Sequence, residues 1–159
     1  MTRFEQRVRN SIEKRNMIPH GTLILLGVSG GADSISMLYA LNTIYKNSDC
    51  KLAVCHVNHN IHDEADNHAK FVQSECEKLG IPCTIMSVDV AQRQTQCKLS
   101  LEHAAREERY EALRKVAKEL STKYNREHYK IALAHTQNDS CETMLINLIR
   151  GTGTKGLCG

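Results

Sequence analysis

The chain has 159 residues, of which 41 % are hydrophobic, 25 % charged and 4 % aromatic, with a formal net charge of +3. That length suits one domain with a real core, and no apolar run approaches the ~20 residues that a membrane span needs. The mild positive charge permits a nucleic-acid partner, while the scarcity of aromatics and the lack of Trp argue against a base-stacking platform.

In chain order, residues 2–16 place Phe4, Val8 and Ile12 at i, i+4 and i+8 among charges, which predicts an amphipathic opening helix. Pro19-His20-Gly21 ends it. Thr22 to Val28 is a short apolar, partly β-branched run and reads as a buried strand. Ser29 to Asp33 is a turn, and Ser34 to Tyr45 resumes helical spacing. The unit then repeats: a strand over Leu52–Val57, a polar turn over Asn58–Asp63, a helix from about Glu64 to Leu79, and a strand over Cys83–Val88. Residues 89–100 are polar and aperiodic, which predicts a loop. A long helix follows over Leu101–Tyr124, whose stripe Leu113, Val116, Ala117, Leu120 and Tyr124 has the spacing of a core face. Tyr129 to Ala134 predicts a fourth strand, and Asp139 to Arg150 a last helix.

Strands alternating with helices of this length predict an α/β domain, a parallel twisted sheet with helices on both faces. Crossovers of one hand then bring the turns after strands 1, 2 and 4 to a single edge. Ligands bind such an edge near a switch in strand order. Seven cysteines without a Cys-x-x-Cys pair read as free thiols used as small apolar residues. Met1 to Arg7 lacks the apolar stretch of a signal peptide, so a cytoplasmic location is expected.

The chemistry concentrates in Gly27-Val28-Ser29-Gly30-Gly31-Ala32-Asp33-Ser34, between a strand and a helix. Paired glycines let the backbone approach a ligand closely. Backbone N–H groups and the N-terminus of the next helix then favour an oxyanion. Ser29 and Ser34 supply hydroxyls. Asp33 would repel phosphate unless a cation lay between, which points to Mg²⁺. A Walker A loop needs a lysine absent here. The competing explanation, a turn in which Asp33 or Ser34 merely caps the helix, does not call for two glycines.

Other candidates are weaker on their own chemistry. His56 and His59 leave a strand where backbone groups can meet an adenine edge; as zinc ligands they lack a third partner at metal spacing. Arg106 and Arg109 share a helix face, but Glu107, Glu108 and Glu111 make a solvated charge run the simpler reading. Asp139 and Glu142 share the first turn of a helix, where capping and the helix dipole already favour acids. Gly151-x-Gly153-x-x-Gly156 matches a dinucleotide pattern yet follows a helix instead of a strand, so that reading is refused.

Ser-Gly-Gly-x-Asp-Ser after an apolar strand resembles the signature of the PP-loop, or N-type ATP pyrophosphatase, superfamily, whose fold is adenine nucleotide alpha hydrolase-like. Four further segments are similar to the tRNA(Ile)-lysidine synthetase family. They are His56-Val57-Asn58-His59, Ala105-Arg106-Glu107-Glu108-Arg109-Tyr110, His135-x-x-Asn138-Asp139-x-x-Glu142-Thr143 and Arg150-Gly151-Thr152-Gly153-Thr154-Lys155-Gly156-Leu157. The likeness covers about residues 22 to 159.

The resemblance implies a ligase that adenylates the oxygen on C2 of the wobble cytidine of isoleucine tRNA with a CAU anticodon. Free L-lysine then displaces AMP. ATP is co-substrate and Mg²⁺ its counter-ion. It implies an ATP site of Ser29, Gly30, Gly31, Asp33, Ser34 and His56, with Mg²⁺ at Asp33. It implies catalytic or lysine-handling roles for Asp33, Arg106, His135, Asp139 and Glu142, and a substrate loop through Arg150, Gly151 and Gly153. Residues 1–159 would be one catalytic domain, which family members extend beyond Gly159 and usually follow with tRNA-binding domains. Thr136, Asn138 and His62 depart from common family residues. Two alternatives stay open: another PP-loop enzyme such as a tRNA thiolase, and a non-catalytic nucleotide-binding module.

Overall fold

A computed structural model describes residues 1–58, 65–97 and 100–135. Its elements are α1 (Arg3–Lys14), β1 (Leu23–Gly27), α2 (Ala32–Tyr45), β2 (Lys51–Asn58), α3 (Ala65–Leu79), β3 (Cys83–Ser87), α4 (Val90–Cys97), α5 (Leu101–Lys123) and β4 (Tyr129–Leu133). The strands form one parallel sheet in the order β3-β2-β1-β4. β1 is the central strand, and its apolar run Leu23–Leu26 is fully buried, as a strand covered on both faces requires.

Alternation along the strands divides the core in two. Ile24, Leu26, Leu52 and Val54 face α2 and α3, packing on Leu38, Leu41, Val72 and Cys76. Leu23, Leu25, Ala53 and Cys55 face the other way, onto Leu113, Val116 and Ala117 of α5. Leu120 and Tyr124 join that second layer, completing the stripe read from the sequence. α1 adds Val8 and Ile12 to the edge of the first layer. A capping box starts α1: Glu5 N–H donates to Thr2 Oγ1 at 3.3 Å, and the Glu5 carboxylate accepts from Thr2 N–H.

The covering of the two faces follows from connectivity. Going from β1 to β2 to β3 the chain steps one way, through α2 and α3 on one face. Returning from β3 to β4 it passes β2 and β1 in the opposite direction, through α5 on the other face. Crossovers of a single hand produce this arrangement. The strand order reverses between β1 and β4, so the switch point lies at the C-terminal end of β1.

One element departs from expectation. Residues 89–100 read as a loop, yet Val90–Cys97 forms a helix, α4. Asp89 starts it, its carboxylate accepting from Gln92 N–H at 3.0 Å. Val90 is its buried anchor, in a small cluster with Val88, Ala104 and Ala112. Arg93 then reaches α5, lying 3.4 Å from Glu107, 3.6 Å from Glu108 and 3.4 Å from Glu111. One anchor and one arginine hold α4 in place, and neither produces an apolar periodicity. The expected helix from Asp139 to Arg150 lies outside the described residues.

Cys50, Cys55, Cys76, Cys83 and Cys97 are free thiols, and Cys55 and Cys76 are core residues, as the sequence reading has them. Among the described residues no helix is long and apolar enough to cross a membrane.

Candidate active site

The glycine loop leaves β1 at the switch point. Val28 extends the pairing of β1 with β2 by one bond, its N–H donating to Cys55 O at 3.1 Å. The carbonyl of Val28 accepts from His56 Nδ1 at 2.8 Å, and His56 is buried. Because a carbonyl only accepts, the ring carries a proton on Nδ1. His56 therefore braces the root of the loop through its side chain, and its backbone stays open to the adenine-edge role read from the sequence.

Beyond Val28 the backbone turns through Gly30 at φ 94°, the left-handed region that favours glycine. Ser34 ties the turn together. Its hydroxyl donates to Gly31 O at 2.9 Å and accepts from Gly30 N–H at 3.2 Å, with Ser29 Oγ also 3.2 Å away. Ser34 is buried, so its hydroxyl shapes the loop from within. Ser29 Oγ also accepts from Gly31 N–H at 3.4 Å. Gly31 is the N-cap of α2, and no side chain caps that helix. The capping explanation for Asp33 and Ser34 is thereby removed.

Two features fit a phosphate group with a divalent cation. The first turn of α2 presents N–H groups that no side chain caps, where helix dipole and donors favour an anion. Asp33 lies exposed in that same turn and makes no hydrogen bond or ion pair among the described residues. A free carboxylate beside an anion cradle is the donor that a hard, oxygen-seeking cation needs. Asp33 would hold Mg²⁺, and the backbone N–H groups of the first turn, Ala32 to Ser34, would hold phosphate oxygens.

Neighbouring strands bring other candidates to this edge. Gly27 pairs with Leu133 of β4, and a Cβ on Gly27 would come 2.5 Å from Leu133 Cδ2. Glycine is needed there for close approach. His135, exposed two residues past Leu133, thus stands at the switch edge beside the loop root. Arg106 lies on α5, exposed, its guanidinium 5.6 Å from the Tyr110 ring centre. Asp139, Glu142, Arg150, Gly151 and Gly153 lie outside the described residues, as do His59 and His62.

The structure adds residues that the sequence reading missed. His68, near the start of α3, packs over the loop: a Cβ on Gly30 would lie 3.0 Å from His68 Nδ1 and 3.6 Å from Val72 Cγ2. Asn58 Nδ2 donates to Asp66 Oδ1 at 3.3 Å, tying the end of β2 to the start of α3. Nothing in local spacing signals either contact, because both depend on how α3 returns across the sheet.

Comparison with known proteins narrows the setting. A tRNA(Ile)-lysidine synthase from Clostridium tetani is 40 % identical over 153 residues, covering 96 % of this chain and 32 % of that protein. The protein of the same name from Petrotoga mobilis is 39 % identical over 156 residues, 98 % of this chain and 48 % of its own length. This chain thus spans about a third to a half of these relatives. Among solved structures, the U34-tRNA thiolase NcsA from Methanococcus maripaludis superposes with a TM-score of 0.70 at 21 % identity, covering 95 % of this chain and 50 % of that one. An NH3-dependent NAD synthetase from Campylobacter jejuni gives a TM-score of 0.54 at 13 % identity, covering 96 % and 80 %. These two establish a shared fold. A model of the PP-loop domain matches residues 1–159. With its glycine loop on the first crossover of a parallel sheet, at the switch in strand order, the chain belongs to the PP-loop domain family.

Proposed function

We propose that this chain carries the ATP-dependent chemistry of a tRNA(Ile)-lysidine synthetase, joining free L-lysine to C2 of the wobble cytidine in isoleucine tRNA with a CAU anticodon. The observation that carries the reading is the uncapped first turn of α2, with Asp33 beside it unpartnered among the described residues, at the switch edge of a PP-loop domain. Relatives of that name, matched over nearly the whole chain, favour this member of the superfamily over a thiolase. The family setting supports ATP as co-substrate. A cytoplasmic location accords with a tRNA substrate.

The reaction has two steps. The oxygen on C2 of the cytidine attacks the α-phosphate of ATP, and pyrophosphate leaves with the electron pair of the broken P–O bond. The neutral ε-amine of lysine then attacks C2, AMP departs, and the amine's extra proton passes to a base. Asp33 would hold Mg²⁺, which would supply charge neutralisation for the phosphates. The loop N–H groups orient the triphosphate, and His56 keeps the loop root in register through Val28 O. Lysine, with an amine pKa near ~10.4, is almost wholly protonated at neutral pH, so a base is required. His135 and the acids Asp139 and Glu142 are the candidates, and Arg106 is assigned to the phosphates or the activated base.

The test is lysine-dependent release of AMP and pyrophosphate by the full-length protein, with isoleucine tRNA compared against bulk tRNA. Asp33→Ala is expected to abolish AMP formation. Glu142→Ala is expected to raise the lysine requirement more than the ATP requirement; equal losses would count against its lysine role. Release of AMP that is indifferent to lysine would overturn the reading.

A further inference from the structure

A second surface runs from the switch edge along the outside of α5. Leu113 fixes its height: a Cβ on Gly27, the last residue of β1, would lie 3.3 Å from Leu113 Cδ1. α5 descends from the C-terminal ends of the strands toward the start of β4, so residues before Leu113 rise above the edge. Arg106, seven residues earlier, stands about 10 Å farther along the helix axis at 1.5 Å per residue.

His103, Arg106, Tyr110, Arg114 and Lys118 follow one another at spacings of three, four, four and four residues, one face of the helix. The side of the helix turned to the sheet holds the buried Leu113, Val116 and Ala117. His103, Arg106, Arg114 and Lys118 are exposed, and Tyr110 is half-buried beneath the guanidinium groups of Arg106 and Arg109, at 5.6 and 5.8 Å from its ring centre. A groove of about 520 Å³ opens along this face, where the cations Arg93, Arg106 and Arg114 outnumber the acids Glu107 and Glu111 beside His103 and Tyr110.

An ordinary solvated helix pairs such cations with its own acids at i, i+3 and i+4. Here three of the acids have a partner on another helix. Arg93 of α4 approaches Glu107, Glu108 and Glu111 together, within 3.4 to 3.6 Å. Arg106, Arg114 and Lys118 make no ion pair among the described residues. Three acids of α5 are thus engaged by Arg93 from α4, while the cations beside them keep their charge for solvent or a ligand. The upper end of that rank is Arg106, already assigned to the site.

We propose that the exposed cationic rank of α5, centred on Arg114 and Lys118, is an RNA-backbone contact surface that leads the substrate strand to the glycine-loop edge. This rests on the RNA-modifying reading above. Phosphates are spaced along a strand, and a row of cations at successive helical turns meets them without reading bases. The surface positions the strand, and sequence choice falls to other contacts. The stacked guanidinium of Arg106 offers a planar, cationic face where the strand arrives.

The test uses the full-length protein and a fluorescent anticodon stem–loop RNA, with anisotropy titrations at several salt concentrations. The double variant R114Q/K118Q is expected to bind about tenfold more weakly, and the slope of log affinity against log salt to shrink by about 1.5, as two lost phosphate contacts require. ATP affinity and the lysine requirement should stay unchanged, and R114K/K118R should restore binding to within about twofold, since only charge is needed. Equal affinity and equal slope for R114Q/K118Q would overturn the proposal while leaving lysine-dependent AMP release intact. Displacement of the probe by polyaspartate as readily as by unlabelled RNA would assign the surface to acidic proteins and overturn it too. Failure of the unsubstituted protein to bind RNA would overturn both this surface and the proposed function. RNA binding without lysine-dependent AMP release would remove the proposed function alone, and the surface would still be decided by the salt slope.

Discussion

Gly30 and Gly31 are neighbours with different duties. Gly30 has φ 94°, and a Cβ there would press on His68 Nδ1 at 3.0 Å. Gly31 is an extended N-cap at φ −73°, where a Cβ would meet only Ser29 Oγ at 3.6 Å. A non-glycine residue held in left-handed backbone costs about 1–2 kcal/mol. Gly30→Ala should therefore lower the melting temperature, by about 2–4 °C for each kcal/mol in a domain of this size, and should weaken ATP binding. Gly31→Ala should leave the melt nearly unchanged. Thermal melts of the two variants, with ATP titrations, check this; equal losses of stability would defeat the left-handed argument. At this scale the sequence names the glycine pair and Asp33 as a phosphate-and-cation site. It does not say which glycine bears the positive φ, because that depends on His68 and Val72 arriving from α3. Nor does it reveal that the Ser34 hydroxyl is spent inside the loop, since hydroxyl geometry follows from the turn already folded.

Between elements, the packing of α2 on α3 is fastened by Glu75. This buried carboxylate accepts from Tyr39 OH of α2 at 2.6 Å and from the Lys78 ammonium one helical turn along α3. The bond from Lys78, and then that from Tyr39, hold the Glu75 carboxyl below the usual carboxylate range, and the bond to Glu75 raises the Tyr39 phenol. A carboxyl lowered in the folded state contributes stability that is fully present above its unfolded value, near ~4.3. That contribution is lost as pH falls through the folded value. Glu75→Gln should thus flatten the acid limb of the stability curve from about pH 4.3 downward. Urea midpoints at neutral pH and at successive steps down from pH 5 test the point, and parallel curves for the two proteins would refute it. The helices themselves were largely legible, because an apolar face at 3.6-residue spacing is written locally. α4 was not, because Val90 and Arg93 hold it by contacts made only once α5 lies alongside.

For the whole molecule, the two-sided core makes a chemical prediction through its thiols. Burial pushes the Cys55 thiol up to about 12. Cys76 and Cys83 share a side-chain hydrogen bond that raises Cys76 and lowers Cys83. Cys97 is exposed. Among the described cysteines, brief alkylation of the native protein should label Cys97 first and the half-buried Cys50 and Cys83 next, leaving Cys55 and Cys76 unlabelled until denaturation. Peptide mass spectrometry reads the order; labelling of Cys55 as fast as Cys97 would contradict a core closed on both faces. Protection of Cys55 depends on α5 covering its strand, and protection of Cys76 on the opposite layer.

What the sequence determined by itself was whatever has a local cause: apolar runs for buried strands, the helix stripe from Leu113 to Tyr124, and a lysine-free glycine turn suited to phosphates. Only the tertiary structure decided that β4 joins β1 and puts the reversal of strand order at the glycine loop. It also decided that His56 braces Val28 O, that His68 stands over Gly30, and that Arg93 engages three acids of α5. The reason is physical. Periodicity and backbone preference act over a few neighbouring residues, whereas each of these contacts joins elements whose meeting is set by burial of the sheet on both faces.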